Sequence, residues 1–551
     1  MTATSPVGAA TLDPGEHGAT ALLPDGRPVV RIADILRANA VATPTAPAII
    51  EADRVTSFAE LDRLANRVAN ALLRDGVRAG DRVAFIGANS PAFLAVLYGA
   101  AKMGAIPTAL NNRLAPPEVA QILQDAEPAV IVIGAGDEQH VPVAVTITGL
   151  LRAVTVGAAG SENGAAAWDE WLTDAADTDP GAQQDVDDTA VIFYTSGTTG
   201  PAKGIELTGR NIGIALSPLQ TIIRLDNTSV ATAPIPFFHI AGIGLALVAT
   251  LNGSALLLES AASLPGLIEL WRRQQVSHAV VVPAVLQVLI NVPGVADADF
   301  SALKYLIYGA APIPVPVLIR ATEIFGCSFV QSYGLTESTG GITILTPEDH
   351  HPAPGLEKRL QSVGRPLKGS TVKIVDPATS EELPIGQRGE VLIGGDLVMK
   401  GYWRRPDANS ATLLPGGWLR TGDGGSVDED GYLFLHDRVK DMIVSGAENV
   451  YPAEVESVLS GHPAIAEIAV VGVSSERWGE SPYAVVVAKP GTEPSEREII
   501  DWARERLAHF KCPIGVQFVD ALPRTASGKI RKAVIREDLA TRPLGEMSAE
   551  V

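Results

Sequence analysis

The chain has 551 residues, of which 46% are hydrophobic and 19% charged, and its formal net charge at pH 7 is −20. This length exceeds one ordinary hydrophobic core, so we expect two or more domains, and the composition is typical of a packed globular protein. The acidic balance argues against nucleic acid or an anionic membrane as a partner, because both attract basic surfaces.

The sequence contains two cysteines, Cys327 and Cys512, far apart along the chain. They cannot form a disulfide framework or a cysteine-based zinc site, so we expect a reducing, cytoplasmic location. The nine histidines contain no HExxH motif, and His350-His351 is interpreted as a solvated turn. No signal peptide is recognised. The apolar stretch from Gly242 to Leu258 is interrupted by polar residues at 252–254, which favours buried core over a membrane span.

Helix and strand signals alternate from about residue 29 onward. Ser57 and Glu60 have the spacing of a capping box, and the helix that follows is predicted to stop at Gly76. Its apolar face comprises Leu61, Leu64, Ala65, Val68 and Leu72. Residues 82–87 are predicted to form a buried strand, and Ser90-Pro91 opens another helix. Further alternation through "HAVVVPAVLQVLI" and "LKYLIYGAAP" predicts stacked α/β layers with largely parallel sheets.

The pattern changes near residues 370–435, where short strands and glycine turns predict a β-rich subdomain. We expect a loose tail over residues 1–28, since this stretch is rich in Gly, Ala, Pro and Thr. The predicted fold is α/β, with a large N-terminal domain of several subdomains over 29–437. A small α+β domain over 438–540 and a tail over 541–551 complete the prediction.

A loop with the sequence "YTSGTTGPAKG", residues 194–204, combines glycines, hydroxyl side chains and Lys203 after a strand-like run. Backbone N–H groups, hydroxyls and a lysine suit a polyphosphate. The loop does not match the common nucleotide motif GxxxxGK(S/T), because Ala202 and Gly204 stand where a glycine and a hydroxyl residue are required. The loop is therefore predicted to bind phosphate in another way; the alternative is a surface turn.

Six further segments follow this loop in order. They are PIPFFHIAG (234–242), YGAAP (308–312), QSYGLTE (331–337), WLRTGD (418–423), DRVKDMIVSGAENVYPAEVE (437–456) and PRTASGKIRK (523–532). Together with the loop, this ordered set resembles the acyl-adenylate-forming superfamily of acyl-CoA synthetases, adenylation domains and firefly-type luciferases. The resemblance extends from about residue 30 to residue 537.

The resemblance implies that ATP activates a carboxylate as an acyl-AMP, which a thiol then attacks. Negative charge accumulates in the first transition state, so cations and N–H donors dominate its stabilisation. The implied β- and γ-phosphate contacts are Thr195, Ser196, Gly197, Thr198, Thr199, Gly200 and Lys203. Thr336 would bind the α-phosphate and Glu337 would ligate Mg²⁺. The alternative for this pair is a helix start with an acid in its first turn.

The nucleoside is expected to bind two other groups of residues. By resemblance, Asp423 holds the ribose hydroxyls with assistance from Arg438, since a carboxylate is a natural bidentate acceptor for a diol. The implied adenine contacts are Gly309, Ala310, Ala311, Ser332, Tyr333 and Gly334. Tyr333 has the alternative role of a simple core residue.

The small domain is implied to rotate about Lys440 between the two half-reactions. In one pose Lys529 reaches the carboxylate and the α-phosphate; the alternative is an ordinary solvated lysine. In the other pose the loop "SGAEN" (445–449) lines a channel for the pantetheine arm of CoA, with Gly446, Ala447 and Glu448 as its contacts.

Trp478 and Phe510 match positions that sandwich the CoA adenine in some bacterial acid–CoA ligases; the alternative for each is packing in the small domain's core. Cys512 stands where those ligases carry an arginine, so a contact to the CoA phosphate needs Lys511 or another base. A second departure is Gly209, where a histidine is frequent; it puts nothing essential in doubt.

The acid pocket is implied to lie next to His239, which is expected at its mouth and among the catalytic residues. The other predicted lining residues are Ile240, Ala241, Gly244, Tyr308, Gly340 and Gly341. They are mostly small and apolar, without a charged group to fix a second polar end. This set predicts a medium to bulky apolar acid: fatty, alicyclic or aromatic.

The sequence therefore predicts a carboxylic acid–CoA ligase that uses ATP, CoA and Mg²⁺. One rival is an enzyme that passes its acyl group to a carrier protein; against it, no appended carrier domain with a GxDS-type serine is present. The others are a luciferase-like oxygenase and a catalytically inactive nucleotide sensor. A homo-oligomer is compatible with the sequence.

Overall fold

The computed structural model describes residues 21–26, 28–29, 31–51, 54–157, 164–182, 184–195, 202–259, 263–438, 441, 443–445, 448–450, 452–475, 479–524 and 530–541. The chain divides by internal contacts into two compact units. One comprises Met1–Val372 and Ile393–Arg420, and the other Lys373–Leu392 and Thr421–Val551. The domain boundaries inferred from the sequence stay predictions.

The described residues contain the following strands in chain order. They are β1 Pro47–Glu51, β2 Arg54–Ser57, β3 Arg82–Ile86, β4 Ile106–Leu110, β5 Val130–Ile133, β6 Arg152–Thr155, β7 Ala166–Ala167, β8 Thr189–Thr195, β9 Lys203–Thr208, β10 Val230–Thr232, β11 Ala255–Leu258, β12 His278–Val281, β13 Tyr305–Gly309, β14 Ser328–Leu335, β15 Gly340–Leu345, β16 Arg365–Pro366, β17 Ser370–Val375, β18 Gly389–Gly395, β19 Gly401–Tyr402, β20 Leu413–Leu414, β21 Trp418–Val427, β22 Leu433–Arg438, β23 Ile443–Ser445, β24 Glu448–Val450, β25 Ile465–Ser475, β26 Gly479–Ala488 and β27 Val516–Phe518.

The α-helices alternate with these strands. They are α1 Ile32–Ala42, α2 Phe58–Arg74, α3 Pro91–Lys102, α4 Pro116–Ala126, α5 Val141–Ala144, α6 Trp168–Leu172, α7 Gly209–Ile222, α8 Ile240–Leu251, α9 Leu264–Arg273, α10 Pro283–Leu289, α11 Val315–Phe325, α12 Pro406–Thr412, α13 Pro452–Ser460, α14 Glu496–Arg504 and α15 Lys532–Thr541. No helix of the described chain is both long enough and apolar enough to cross a membrane.

The first unit contains two large sheets. One has the order β19-β9-β8-β4-β3-β5-β6-β7, and the other has the order β16-β15-β14-β13-β12-β10-β11-β1-β2. Pairing is parallel from β8 through β7 in the first sheet and from β14 through β1 in the second. Pairing is antiparallel along β19-β9-β8 at one edge of the first sheet, and along β16-β15-β14 and between β1 and β2 in the second. The α/β fold with largely parallel sheets is confirmed.

The remaining strands form two smaller sheets. The β-rich region has the order β17-β18-β21-β20, with β22 paired to β21. The last sheet has the order β24-β23-β26-β25, with β27 paired in parallel to β26. Helices α13 and α14 supply residues such as Val455 and Ile499 to the core that covers this sheet.

Local sequence signals determine the starts of helices α2 and α3 as expected. Ser57 caps α2: its Oγ accepts from Glu60 N, and its own N–H donates to Glu60 Oε2 at 2.8 Å. The helix ends at Arg74, and Gly76 takes a φ of +90°, which a glycine adopts without strain. Ser90 caps α3, which begins at Pro91.

The first unit also contains a fully buried charge. Lys102, at the end of α3, has no exposed surface. Its Nζ donates to Asp62 Oδ1 (2.5 Å), Asn66 Oδ1 (2.6 Å) and Asp179 Oδ2 (2.9 Å). Arg37 of α1 also donates to Asp179 at 2.8 Å. A buried ammonium needs such partners, so this network ties α1, α2 and α3 to the segment before β8.

Candidate functional site

The phosphate loop joins the two strands of an antiparallel hairpin. Strand β8 ends at Thr195, which lies opposite Lys203, the first residue of β9, and Tyr194 lies opposite Gly204. The loop's two ends are thus held together by strand pairing, with Lys203 at its base. Ser196, Gly197, Thr198, Thr199 and Gly200 lie outside the described residues.

The base of the hairpin is braced by neighbouring side chains. Tyr194 donates from its hydroxyl to Asp125 Oδ2 at 2.8 Å. Burial and the Asp125 carboxylate raise the pKa of Tyr194 well above its ordinary value. The N–H of Trp403 donates to the carbonyl of Gly204 at 2.7 Å. A Cβ at Gly204 would meet Tyr194 and Trp403 at 3.0 and 3.2 Å, so a side chain at this position would be crowded.

Thr336 and Glu337 lie in a short 3₁₀ helix, Thr336–Ser338, directly after β14. The turn is fixed by Ser338, which accepts from Leu335 N at 2.9 Å and donates to the carbonyl of Gly340 at 3.0 Å. Thr339 has a φ of +57° and donates to the carbonyl of Leu397 at 2.7 Å. These buried contacts hold Thr336 and Glu337 half-exposed at the end of the strand.

Tyr402 joins two predicted site residues that are distant in sequence. Its hydroxyl donates to Glu337 Oε1 at 3.0 Å, and its ring lies 4.8 Å from the Nζ of Lys203. The N–H of Met399 donates to the carbonyl of Glu337 at 2.8 Å. Tyr402 was missed by the sequence analysis; the only signal for it is the aromatic pair in "KGYWRRP" (400–406).

The carboxyl ends of β13 and β14 form the predicted adenine wall. Gly309 lies opposite Ser332, and a Cβ on Gly309 would be 2.2 Å from the Ser332 carbonyl oxygen. Ala310, with a φ of +66°, and Ala311 follow as exposed residues. Tyr333 is half-buried and packs against the main core, so it combines core contact with an accessible edge.

The start of α8, which carries several of the predicted pocket residues, lies next to β15. His239 precedes the helix, and Ile240 Cγ1 lies 3.6 Å from the position of a Cβ on Gly340. A Cβ on Gly341 would be 2.0 Å from Ser332 Oγ. Gly244, by contrast, faces open space, with no atom within 4 Å of its Cβ position. Ala241 is half-exposed.

Tyr308 and His350 are placed differently from the sequence-based expectation. The Tyr308 side chain is fully buried in the core with Phe329, and its hydroxyl lies 3.1 Å from His350 Nε2. Only the Tyr308 backbone can therefore border the acid pocket. The prediction that His350 lies in a solvated turn is wrong, because its side chain is buried. Burial lowers the pKa of His350 to about 4. His351 is exposed.

Asp423 and Arg438 are paired in the backbone register of strands β21 and β22 in the second unit. The N–H of Asp423 donates to Thr421 Oγ1 at 3.0 Å, and Thr421 in turn donates to the carbonyl of Val391 at 2.7 Å. These bonds fix the strand that carries the Asp423 carboxylate. Lys440 lies outside the described residues.

The predicted CoA contacts are described only in part. Gly446, Ala447, Trp478 and Lys529 lie outside the described residues, and Glu448 begins β24. Phe510 is 36% exposed, which leaves its ring accessible. Cys512 is buried, and its Sγ lies 3.5 Å from the carbonyl oxygen of Ala508, so it faces the core rather than a ligand.

Lys511 is already paired within the second unit. Its Nζ lies 2.6 Å from Glu454 Oε1, and Arg388 donates to Glu454 Oε2 at 3.2 Å. Burial opposes ionisation of Glu454, but the hydrogen bonds from Lys511 and Arg388 outweigh it and lower the pKa of this carboxyl. A contact from Lys511 to a phosphate would compete with this pair.

The described residues contain no group of three or more His, Cys, Asp or Glu side chains arranged to hold a metal ion. Glu337 fits Mg²⁺ in another way, because Mg²⁺ commonly takes one or two carboxylates together with phosphate oxygens and water. Tyr402 occupies Glu337 Oε1, and no hydrogen bond from the described part of the chain reaches Oε2.

Comparison with known proteins identifies the family. The AMP-binding enzyme family matches residues 36–403, and its C-terminal domain matches residues 454–529. A fatty acid–acyl-carrier-protein ligase from Streptomyces coeruleorubidus is 38% identical over 92% of this chain and 95% of its own. A long-chain-fatty-acid–CoA ligase from Mycobacterium tuberculosis is 38% identical over 91% of this chain and 97% of its own.

A solved structure agrees with this assignment. ATP-bound MatB from Rhodopseudomonas palustris has a TM-score of 0.83 at 28% identity, covering 92% of this chain and 99% of its own. The chain therefore belongs to the AMP-binding enzymes, the acyl-adenylate-forming superfamily, in the branch of AMP-forming acyl-CoA ligases. ATP and CoA are its co-substrates.

Proposed function

We propose that this ligase activates a medium to bulky apolar carboxylic acid and transfers it to CoA, with Mg²⁺ bound by Glu337. The observation that carries this proposal is the grouping of Lys203, Tyr402 and Glu337, in which one tyrosine contacts both charged side chains. A cation and a carboxylate brought together in this way suit a metal–nucleotide.

Adenylation forms a bond between a carboxylate oxygen and the α-phosphorus of ATP, and the bond to pyrophosphate breaks. Lys203 and the backbone of the phosphate loop bind the β- and γ-phosphates, and Thr336 binds the α-phosphate. Mg²⁺ neutralises phosphate charge when bound. Lys529 stabilises the negative charge shared by the carboxylate and the α-phosphate, while Asp423 and Arg438 hold the ribose.

Thioester formation follows in a second pose. The CoA thiolate attacks the acyl carbon and AMP leaves with the bonding electrons. Rotation about Lys440 exchanges Lys529 for the loop that contains Gly446, and Phe510 and Trp478 stack on the CoA adenine. This assignment rests on the motif match at these positions.

The acid is proposed to be apolar because the pocket residues of the first unit offer no charged group. Ile240 lies beside Gly340 and Ser332 beside Gly341, and a side chain added at Gly244 would enter open space. Two relatives that act on fatty acids are consistent with this class.

A carrier protein is the second candidate acceptor. Lys511 is paired with Glu454 and Cys512 replaces an arginine with a buried thiol, so the expected contacts to a CoA phosphate are weakened. A relative with 38% identity is a fatty acid–acyl-carrier-protein ligase. CoA and a carrier protein both present their thiol on a pantetheine arm, so a channel for pantetheine would accept either of them.

The test compares acceptors and acids directly. A panel of straight-chain, alicyclic and aromatic acids is incubated with ATP, Mg²⁺ and either CoA or a phosphopantetheinylated carrier protein, and products are identified by mass spectrometry. CoA esters of apolar acids support the proposal. If only the carrier protein is acylated and no CoA ester forms, the acceptor is a carrier protein and not CoA. A preference for acetate or an amino acid contradicts the proposed acid class. Glu337→Ala should remove most adenylation and make the residual rate require more Mg²⁺.

A further inference from the structure

Tyr402 stands between a cation and a carboxylate that would otherwise attract each other. Its ring lies 4.8 Å from Lys203 Nζ, and its hydroxyl donates to Glu337 Oε1 at 3.0 Å. No ion pair joins Lys203 and Glu337, both of which are described. The tyrosine thus satisfies each charged group through a different part of one side chain.

The position of Tyr402 is fixed by its backbone. It pairs with Ile205 of β9, two residues from Lys203, and its side chain is 6% exposed. Its N–H donates to Asn409 Oδ1 at 2.6 Å, and its carbonyl accepts from Asn409 Nδ2 at 3.1 Å. These backbone bonds and the burial of the residue restrict where the Tyr402 ring and hydroxyl can lie.

We propose that Tyr402 is a positioning residue of adenylation, which keeps Lys203 and Glu337 apart and aims both at the nucleotide. The face of the ring attracts the ammonium and holds Lys203 available for phosphate. The hydroxyl holds one Glu337 oxygen and leaves the other open for the metal. Without the ring, Lys203 and Glu337 pair with each other, and the phosphate and metal contacts are both weakened. This inference rests on the proposed role of Glu337.

Two substitutions separate the ring from the hydroxyl. Tyr402→Phe keeps the ring facing Lys203 and removes the bond to Glu337, whereas Tyr402→Ala removes both. ATP affinity is measured by calorimetry without acid or CoA, so that no turnover occurs, once with Mg²⁺ and once with EDTA. Tyr305→Phe, a tyrosine at the opposite end of β13 from Gly309, is the matched control and should bind as the wild type does.

We expect Tyr402→Phe to weaken ATP binding about tenfold with Mg²⁺ and to leave binding in EDTA unchanged. Tyr402→Ala should weaken binding in EDTA as well, by about tenfold. Adding Glu337→Gln to Tyr402→Ala should restore most of the affinity in EDTA, because Lys203 then has no carboxylate to pair with. A residue that only supports the fold gives no such rescue.

The outcomes distinguish this inference from the metal proposal. If Glu337→Gln alone retains the full gain in ATP affinity that Mg²⁺ produces, the proposal that Glu337 binds Mg²⁺ is wrong. If Glu337→Gln loses that gain while both Tyr402 variants bind as the wild type does, only the inference about Tyr402 is overturned. Equal weakening by Tyr402→Phe with Mg²⁺ and with EDTA, without rescue by Glu337→Gln, also overturns it.

Discussion

Gly334 lies so close to the carbonyl oxygen of Gly340 that a Cβ on Gly334 would be 1.7 Å from it. The two residues belong to β14 and β15, and the turn with Thr336 and Glu337 joins these strands. We expect Gly334→Ala to force the strands apart and to shift both side chains. A displacement of about 1 Å at a reacting group costs on the order of 100-fold in rate.

Pyrophosphate release from ATP and acid measures this effect. ATP affinity is also measured without acid, and for this readout Gly244→Ala is the matched control, because its new methyl group enters open space and should leave ATP binding unchanged. Normal adenylation by a folded Gly334→Ala variant would show that the close approach is not required.

The acid pocket can be narrowed at two positions. Gly244→Leu and Ala241→Trp should each lower kcat/KM for longer acids relative to shorter ones, since one methylene in an apolar pocket changes selectivity about tenfold or more. CoA esters formed from a series of straight-chain acids provide the measurement, with the KM for ATP as the internal control. An unchanged chain-length profile in both variants would place the pocket elsewhere.

The two half-reactions should depend on different residues of the small domain. Lys529→Ala is expected to slow adenylation by about 10² to 10³ and to leave thioester formation from preformed acyl-AMP nearly normal. Gly446→Leu should accumulate acyl-AMP and release pyrophosphate in a single burst. Lys440→Pro should mainly slow the second step or the switch. Equal damage to both half-reactions by the first two variants would contradict the two-pose mechanism.

The buried Lys102 network should make stability depend on acid pH. Burial raises the pKa of Asp179, but hydrogen bonds from Arg37 and Lys102 outweigh it and hold the pKa well below 3.8. As the pH falls, the Asp179 carboxylate therefore takes up a proton in the unfolded chain before it does so in the folded chain. The stabilisation from this carboxylate is present above about pH 4 and is lost as the pH falls further. The melting temperature of Asp179→Asn should differ from that of the wild type more at pH 6 than at pH 3.

Lys102→Met tests the same network by removing its cation. Loss of one member of a buried ion pair costs about 3 kcal/mol, so the variant should melt several degrees below the wild type at neutral pH. An equal pH profile for Asp179→Asn and the wild type, together with a normal melting temperature for Lys102→Met, would show that the network contributes nothing.

The parts of the structure that the sequence predicted are those that local chemistry decides. Ser57 and Glu60 define the start of α2 within four residues, and the strand before the phosphate loop follows from its own apolar run. Tyr402 and Glu337 are 65 residues apart in sequence, and Tyr402 reaches Glu337 from β19, a strand placed by its pairing with β9. No periodicity within either segment indicates that contact.

Tyr308 and His350 illustrate a second limit. A strand buried on both faces lacks an alternating pattern, so the sequence does not indicate which neighbour of Gly309 faces the pocket. Tyr308 faces the opposite core and finds a hydroxyl partner in His350, 42 residues later. This pairing buries a histidine that local sequence places in a turn.

The pairing of β1 with β11 has a consequence for synthesis of the chain. Ile49 lies beside Leu256 in the parallel ladder, so β1 leaves the ribosome roughly 200 residues before its partner. At about 5–20 residues per second this delay is about 10–40 s. During that interval β1 has no native neighbour on that side, so the pairing of β1 with the rest of the nine-stranded sheet waits for translation rather than for the folding of the N-terminal segment.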